Sequence, residues 1–271
     1  MPTADYHLHT PLCHHASGHP REYAQSALNQ GLPEIGFSDH NPMPRHFDDW
    51  RMSIAEFPQY LQLIQETQAE FANSLPVKLG LEVDYLPDPP SQSWIKELAA
   101  KADFDFLVGS VHYIAEDWAI DDPDPKWQSK WADPEGIENA WTEYWKRYTA
   151  AIASGHFDIL AHPDLPKKFG HRPTGDLRRF YGPAIAAAQE CGVAFELSTA
   201  GLRKPCQEMY PARQFLELQF AAGIPLVISS DSHQPGSVGH AFPQAIALAK
   251  EIGFTHTLQF TKRQPTPVPF P

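Results

Sequence analysis

The stretch FDFLVGSVH (104–112) decides how this chain is read. It is apolar almost without polar alternation, and it ends on a histidine. A run of this kind suits a parallel strand buried on both faces. Six other runs have a similar build: ADYHLH (4–9), EIGFSDH (34–40), KLGLEVD (78–84), FDILAHP (157–163), VAFELS (193–198) and PLVISSDSH (225–233). Longer segments with helical spacing lie between them. PREYAQSALNQG starts on Pro20 and stops at Gly31, with proline in the first turn and glycine just past the last. Further helices are expected after Ser53 and near 92–101, 134–154, 176–191, 209–222 and 240–252. Strand and helix alternate about seven times, which predicts an α/β fold around a parallel sheet, open or closed.

The ends of these runs carry the chemistry. His7 and His9 end the first, Asp39 and His40 the second, Glu82 and Asp84 the third, and His112 the fourth. His162 ends the fifth, Glu196 lies late in the sixth, and Asp231 and His233 end the seventh. In a parallel α/β barrel the C-terminal strand ends meet on one face. Residues spread over more than two hundred positions would then share one site. His7 and His9 stand at i and i+2 of a strand, so both imidazoles project to the same side. Imidazole with carboxylate suits zinc, iron or manganese.

Composition narrows the classes. The chain has 271 residues and 42% hydrophobic content, enough for one large domain, here expected over 1–271. Cys13, Cys191 and Cys206 form neither a paired framework nor a CxxC site, so a reducing cytoplasm is expected. The N-terminus MPTADYHLHT has no secretory character, and no apolar run reaches the roughly 18 residues of a membrane span. A net charge of −12 without a basic stripe argues against nucleic acid as a partner. It also means that an anionic substrate needs a local reversal of the field. The segment 115–136, rich in tryptophan and proline, reads as a surface excursion, with Trp118, Trp127 and Trp131 pinning it to the body. From about 264 the tail is extended and proline-rich.

HLHT, SDH, GLEVD, SVH, AHPD and SSDSH together resemble the polymerase and histidinol phosphatase (PHP) superfamily, in order and over almost the whole chain. DHNPMP, WRMS, HPDLPKKFG and STAGLRKP resemble its histidinol-phosphate phosphatases. The resemblance implies a distorted seven-stranded (β/α)7 barrel, TIM-like, with a trinuclear metal centre at the C-terminal strand ends. It implies that His7, His9, Glu82 and Asp231 surround one ion, that Glu82, His112 and His162 hold a second, and that His15, His40 and His233 hold a third. Glu82 would bridge two of them, and His14 falls one residue out of register. Seven histidines and two carboxylates around three divalent ions leave the site net positive, which answers the charge question.

The reaction this implies is hydrolysis of L-histidinol phosphate to L-histidinol and phosphate, a step of histidine biosynthesis, by in-line attack of a metal-activated hydroxide. Arg203 is expected to clamp a phosphate oxygen, with Lys204 and Arg51 as further cationic candidates. Asp231 is a candidate to protonate the leaving alkoxide. Glu196, Asp84 or Asp164 could meet the substrate ammonium, and Tyr113 could pack on its imidazole. Each of these carboxylates, and Asp39, is also explained as support for a ligand histidine. His19, His46, His156, His171, His240 and His256 match no ligand position. Three other readings stay open: a phosphoesterase acting on another small ester or nucleotide, a metal-dependent amidohydrolase, and a binding module without turnover.

Overall fold

The parallel strands are short, and their order follows the chain. The computed structural model describes residues 3–45, 48–115, 118–131 and 133–271. His46 lies outside the described residues, as do positions 116, 117 and 132 of the excursion. The first elements are β1 (Asp5–Leu8), α1 (Pro20–Gln30), β2 (Ile35–Phe37), α2 (Phe57–Phe71), β3 (Val77–Leu79) and β4 (Glu82–Asp84). Next come α3 (Pro89–Ala99), β5 (Val108–Ser110), α4 (Pro125–Gln128), α5 (Pro134–Ala153), β6 (Ile159–Leu160) and α6 (Arg178–Cys191). The chain ends with β7 (Ala194–Ser198), α7 (Arg213–Ala221), β8 (Leu226–Ser229), α8 (Phe242–Ile252), β9 (His256–Thr261) and β10 (Gln264–Pro269). Local chemistry sets several boundaries. In α1, His19 and Glu22 form a capping box, Pro20 opens the first turn, and Gly31 closes the helix at φ 72°.

β1-β2-β3 form one parallel sheet and β4-β5-β6-β7-β8 another. The run 78–84, expected as a single strand, is thus divided at Gly80 and Leu81 between the two sheets. The reason is steric. A Cβ on Gly80 would lie 2.4 Å from the Phe106 ring, and one on Gly36 would lie 2.5 Å from it. The backbone bends there around a large interior side chain that only glycine can approach. Parallel bridges Leu8↔Ser232 and His40↔Glu82 join the sheets at both seams.

Two apolar clusters organise the layers. The larger fills the space between sheets and helices. The smaller lies inside the strands and includes Tyr6, Phe106, Val108, Ile159, Val227, Leu258 and Phe260. Its last two members come from β9, which pairs antiparallel with β10 from Thr261↔Gln264 to His256↔Pro269. The extended tail is therefore a hairpin strand. The hairpin turn docks where β5 and β6 begin: the Arg263 backbone N–H donates to the Asp105 carbonyl at 2.8 Å, and its Nε to Asp158 Oδ2 at 2.7 Å. That closes the N-terminal end of the strands and leaves the C-terminal end for a site. Among the described residues, no helix is long and apolar enough to cross a membrane.

Candidate metal centre

Glu82 lies at the middle of the histidine cluster. It is the first residue of β4 rather than the end of a long strand, a consequence of the break at Gly80. Its Oε2 is 3.3 Å from His7 Nε2, 3.8 Å from His9 Nε2 and 2.9 Å from His40 Nδ1. Its Oε1 is 3.1 Å from His162 Nε2 and 3.7 Å from His112 Nε2. Asp231 Oδ1 closes the first group at 3.3 Å from His9 Nε2 and 3.9 Å from His7 Nε2. Ligand atoms of His15, His40 and His233 form a separate group, all within 4.8 Å of one another. So the nine residues named as ligands from the sequence converge in space. His40 additionally meets Glu82, and Cys13 adjoins His9 and His233, two contacts the strand-end reading did not supply.

The buried polar atoms show what the cluster is suited to hold. His7 Nε2, His9 Nε2, His40 Nδ1 and Glu82 Oε2 are buried and, close as they lie to one another and to Asp231, make no hydrogen bond of good geometry among the described residues. One such atom costs about 1–3 kcal/mol. Four converging on one place fit a cation. Burial alone would raise the Glu82 carboxyl, yet the His40 and His7 imidazoles hold it well below its usual range. Burial pushes His40 down to about 4, whereas the Glu196 and Glu82 carboxylates outweigh burial at His7 and hold it well above its ordinary value. Two members sit in left-handed backbone, His162 at φ 27° and Asp231 at φ 48°. Such strain concentrates at functional sites.

Carboxylates stand behind the histidines. Glu196 Oε1 accepts from His7 Nδ1 at 2.6 Å and from Ser229 Oγ, and its Oε2 accepts from the His162 backbone N–H. Asp84 Oδ1 pairs with His112 Nδ1 at 2.8 Å, and Asp39 Oδ1 lies 3.4 Å from His9 Nδ1. Each partner fixes which ring nitrogen faces the centre. Replacing Asp84 by Asn should weaken metal retention about 10–100-fold. Competition with a graded chelator measures this, and wild-type retention would remove Asp84 from that role.

A cavity of about 570 Å³ opens over the cluster. Arg203, Lys204 and Asp231 line it. Glu196, Arg51 and Tyr113, also named as candidate substrate contacts, are not among its lining residues and are engaged elsewhere. Glu196 is consumed by the histidines it supports. Arg51 is buried, with Nη2 donating to Asp84 Oδ2 at 2.8 Å and to Asp48 Oδ2 at 2.6 Å. The Tyr113 hydroxyl donates to Asp48 at 2.7 Å, and its ring stacks on Trp50. Asp164 is likewise internal, accepting from Lys167 Nζ and from the Ala212 backbone.

The cavity also has walls that the sequence reading missed. Trp50 stands against His40 and His112, with ring centroids at 5.1 and 5.3 Å. Lys168 pairs with Asp121 at 3.1 Å, and Asp121 and Asp122 both face the cavity. The signals were present in the two adjacent lysines of HPDLPKKFG and the acidic pair of AIDDPDP. The excursion is pinned, too: Trp127 and Trp131 are buried, and Trp131 stacks on His171 at 5.0 Å. It is at once anchored and a wall of the site.

A parallel α/β frame with histidines and carboxylates gathered beyond the strand ends is the setting in which the comparisons fall. The PHP domain matches residues 5–200, and the chain belongs to that family. A relative named "Probable histidinol-phosphatase" from Deinococcus radiodurans is 41% identical over 263 residues, covering 96% of this chain and 98% of its own. The histidinol-phosphatase of Bacillus subtilis is 28% identical, covering 89% and 97%. Among solved structures, histidinol phosphate phosphatase from Lactococcus lactis, complexed with zinc, L-histidinol and phosphate, superposes with a TM-score of 0.78. It is 23% identical and covers 97% of this chain and 98% of that one, a likeness of fold.

Proposed function

We propose that this chain is a metal-dependent phosphomonoesterase that hydrolyses L-histidinol phosphate to L-histidinol and phosphate. The observation that carries the reading is the set of buried imidazole and carboxylate atoms converging, without aligned hydrogen bonds, beneath a cavity lined by Arg203, Lys204 and Lys168. The names of the relatives point the same way. We read the two sheets, with β3 and β4 taken as one bent strand, as a distorted seven-stranded barrel forming a single domain over 1–271. The two seam bridges support this. The three free cysteines suit a cytoplasmic setting.

Three ions fit the donor set. His7, His9, Glu82 and Asp231 would hold one, Glu82, His112 and His162 a second, and His15, His40 and His233 a third. Zinc, iron and manganese all suit these donors. When bound, such ions activate water at neutral pH and neutralise charge on phosphoryl oxygens. The remaining work falls to the chain. Arg203 Nη2 is anchored to the Ser230 carbonyl at 2.7 Å and the Asp231 carbonyl at 3.1 Å, which fixes the guanidinium at the edge of the cluster. From there it can hold phosphate oxygens, with Lys204 and Lys168 adding charge. Asp231 faces both cluster and cavity, placed to relay a proton to the leaving alkoxide. Asp121 is the carboxylate offered to the substrate ammonium.

The test is phosphate release from L-histidinol phosphate beside sugar phosphates, nucleotides and p-nitrophenyl phosphate, with metal content determined on the same sample. A strong preference for histidinol phosphate, lost on chelation, is expected. Equal rates on all esters would reject the substrate. Asp121→Asn should reduce that preference about 10–100-fold, the worth of one charge-assisted hydrogen bond, and spare p-nitrophenyl phosphate.

A further inference from the structure

Lys167 is fully buried, and the chemistry proposed above makes no use of it. It lies in the turn that follows β6, next to Lys168 of the cavity wall. Its Nζ donates to the Met209 carbonyl at 2.7 Å and to Asp164 Oδ2 at 3.1 Å. Glu208 Oε2 lies 3.4 Å away, and the Tyr210 ring centroid 5.4 Å. All but one of these partners lie at 208–210, the far end of a loop that leaves β7 at Ser198. Ser198 and Tyr210 close the neck of that loop with reciprocal backbone hydrogen bonds of 2.6 and 3.0 Å. Within it the chain presents Arg203 and Lys204 to the cavity. Two more ties reach the same place: the Ala212 N–H donates to Asp164 Oδ2 at 2.8 Å, and the Cys206 N–H to the Lys168 carbonyl at 3.0 Å.

An ammonium taken out of water is expensive, and apolar residues of similar volume often fill such a place with no loss of stability. What apolar packing cannot supply is direction. Two acceptors from the loop, the Met209 carbonyl and the Glu208 carboxylate, meet one Nζ that Asp164 holds from the 162–168 side, and this fixes the loop relative to that segment in a way that smooth side chains do not. We propose that Lys167 is a positioning residue that holds Arg203 and Lys204 in register with Lys168 around the phosphate. The inference rests on the phosphatase reading above.

The experiment uses zinc-reconstituted full chain. The double variant Lys167→Met with Asp164→Asn leaves no lone charge in the interior. Glu208→Ala, at the half-exposed end of the tie, is a milder change that folding tolerates. Metal content, inorganic phosphate affinity by calorimetry, and KM and kcat on L-histidinol phosphate are measured for each. Metal content should stay at the wild-type level. Phosphate Kd and KM should rise together, about 10–100-fold in the double variant, with kcat falling less; misplacement of about 1 Å carries an effect of that size. Glu208→Ala should move both in the same direction by a smaller factor. Should the double variant not fold, Glu208→Ala decides alone. A folded, metal-loaded variant that binds phosphate as wild type does would overturn the inference. Wild-type protein that neither binds phosphate nor hydrolyses the ester would remove the phosphatase reading itself, a separate outcome.

Discussion

Glu82→Gln should reduce turnover by about 10³-fold or more and strip more than one ion from each chain. The substitution keeps the shape and removes the charge. In the protein, Oε2 faces His7, His9 and His40 while Oε1 faces His112 and His162. An amide would turn an N–H₂ group, which has no lone pair to offer a cation, toward one of those sets. It would also remove the only carboxylate shared by two of the proposed ion positions. Several kcal/mol of transition-state charge stabilisation are at stake in a centre of this type, and each 1.36 kcal/mol is tenfold in rate. Elemental analysis beside steady-state kinetics checks both parts. Full metal content with normal turnover would mean that Glu82 is a buried structural carboxylate and that the centre is organised elsewhere.

Arg203→Ala separates phosphate binding from metal binding. We expect kcat/KM to fall about 10²–10³-fold, the usual effect of deleting one group aimed at developing charge. Metal content should hold, because the guanidinium touches carbonyl oxygens of Ser230 and Asp231 and not the ligand carboxylate. Lysine at this position should recover part of the rate, since it returns the charge without the fork. Loss of metal in Arg203→Ala would show instead that the arginine holds Asp231 in its left-handed backbone, and its role would pass from substrate to ligand support.

The candidate ligands were legible because a strand forces alternate side chains onto one face and a parallel sheet brings its strand ends together. His7, His9, His112 and His162 could be named from those two regularities and the family resemblance. Other features depend on information no single residue carries. Glu196 and Arg51 have the chemistry of substrate contacts, and only the partners Ser229, His7 and Asp84 show that they are turned inward. The division of 78–84 follows from a ring at Phe106, far along the chain, pressing on Gly80. Asp121 enters the site because the excursion folds back over the strand ends and meets Lys168, a long-range event without a periodic signal.

The C-terminal hairpin also settles how the molecule meets its neighbours. Lys262 and Arg263 both have positive φ, 49° and 62°, the turn that matches the twist of a two-residue hairpin. With Thr261 opposite Gln264, the hydrogen-bonded pairs of the ladder fall at 264, 266 and 268. Pro265, Pro267 and Pro269 occupy the alternate positions, whose nitrogens point away from β9. β10 is an exposed outer strand, and at those three positions it has no N–H to offer. A passing strand, from another copy or from an unfolding chain, finds acceptors there without the donors that a ladder needs. The proline-rich tail thus works as a guard against aggregation, built into the same hairpin that seals the strands.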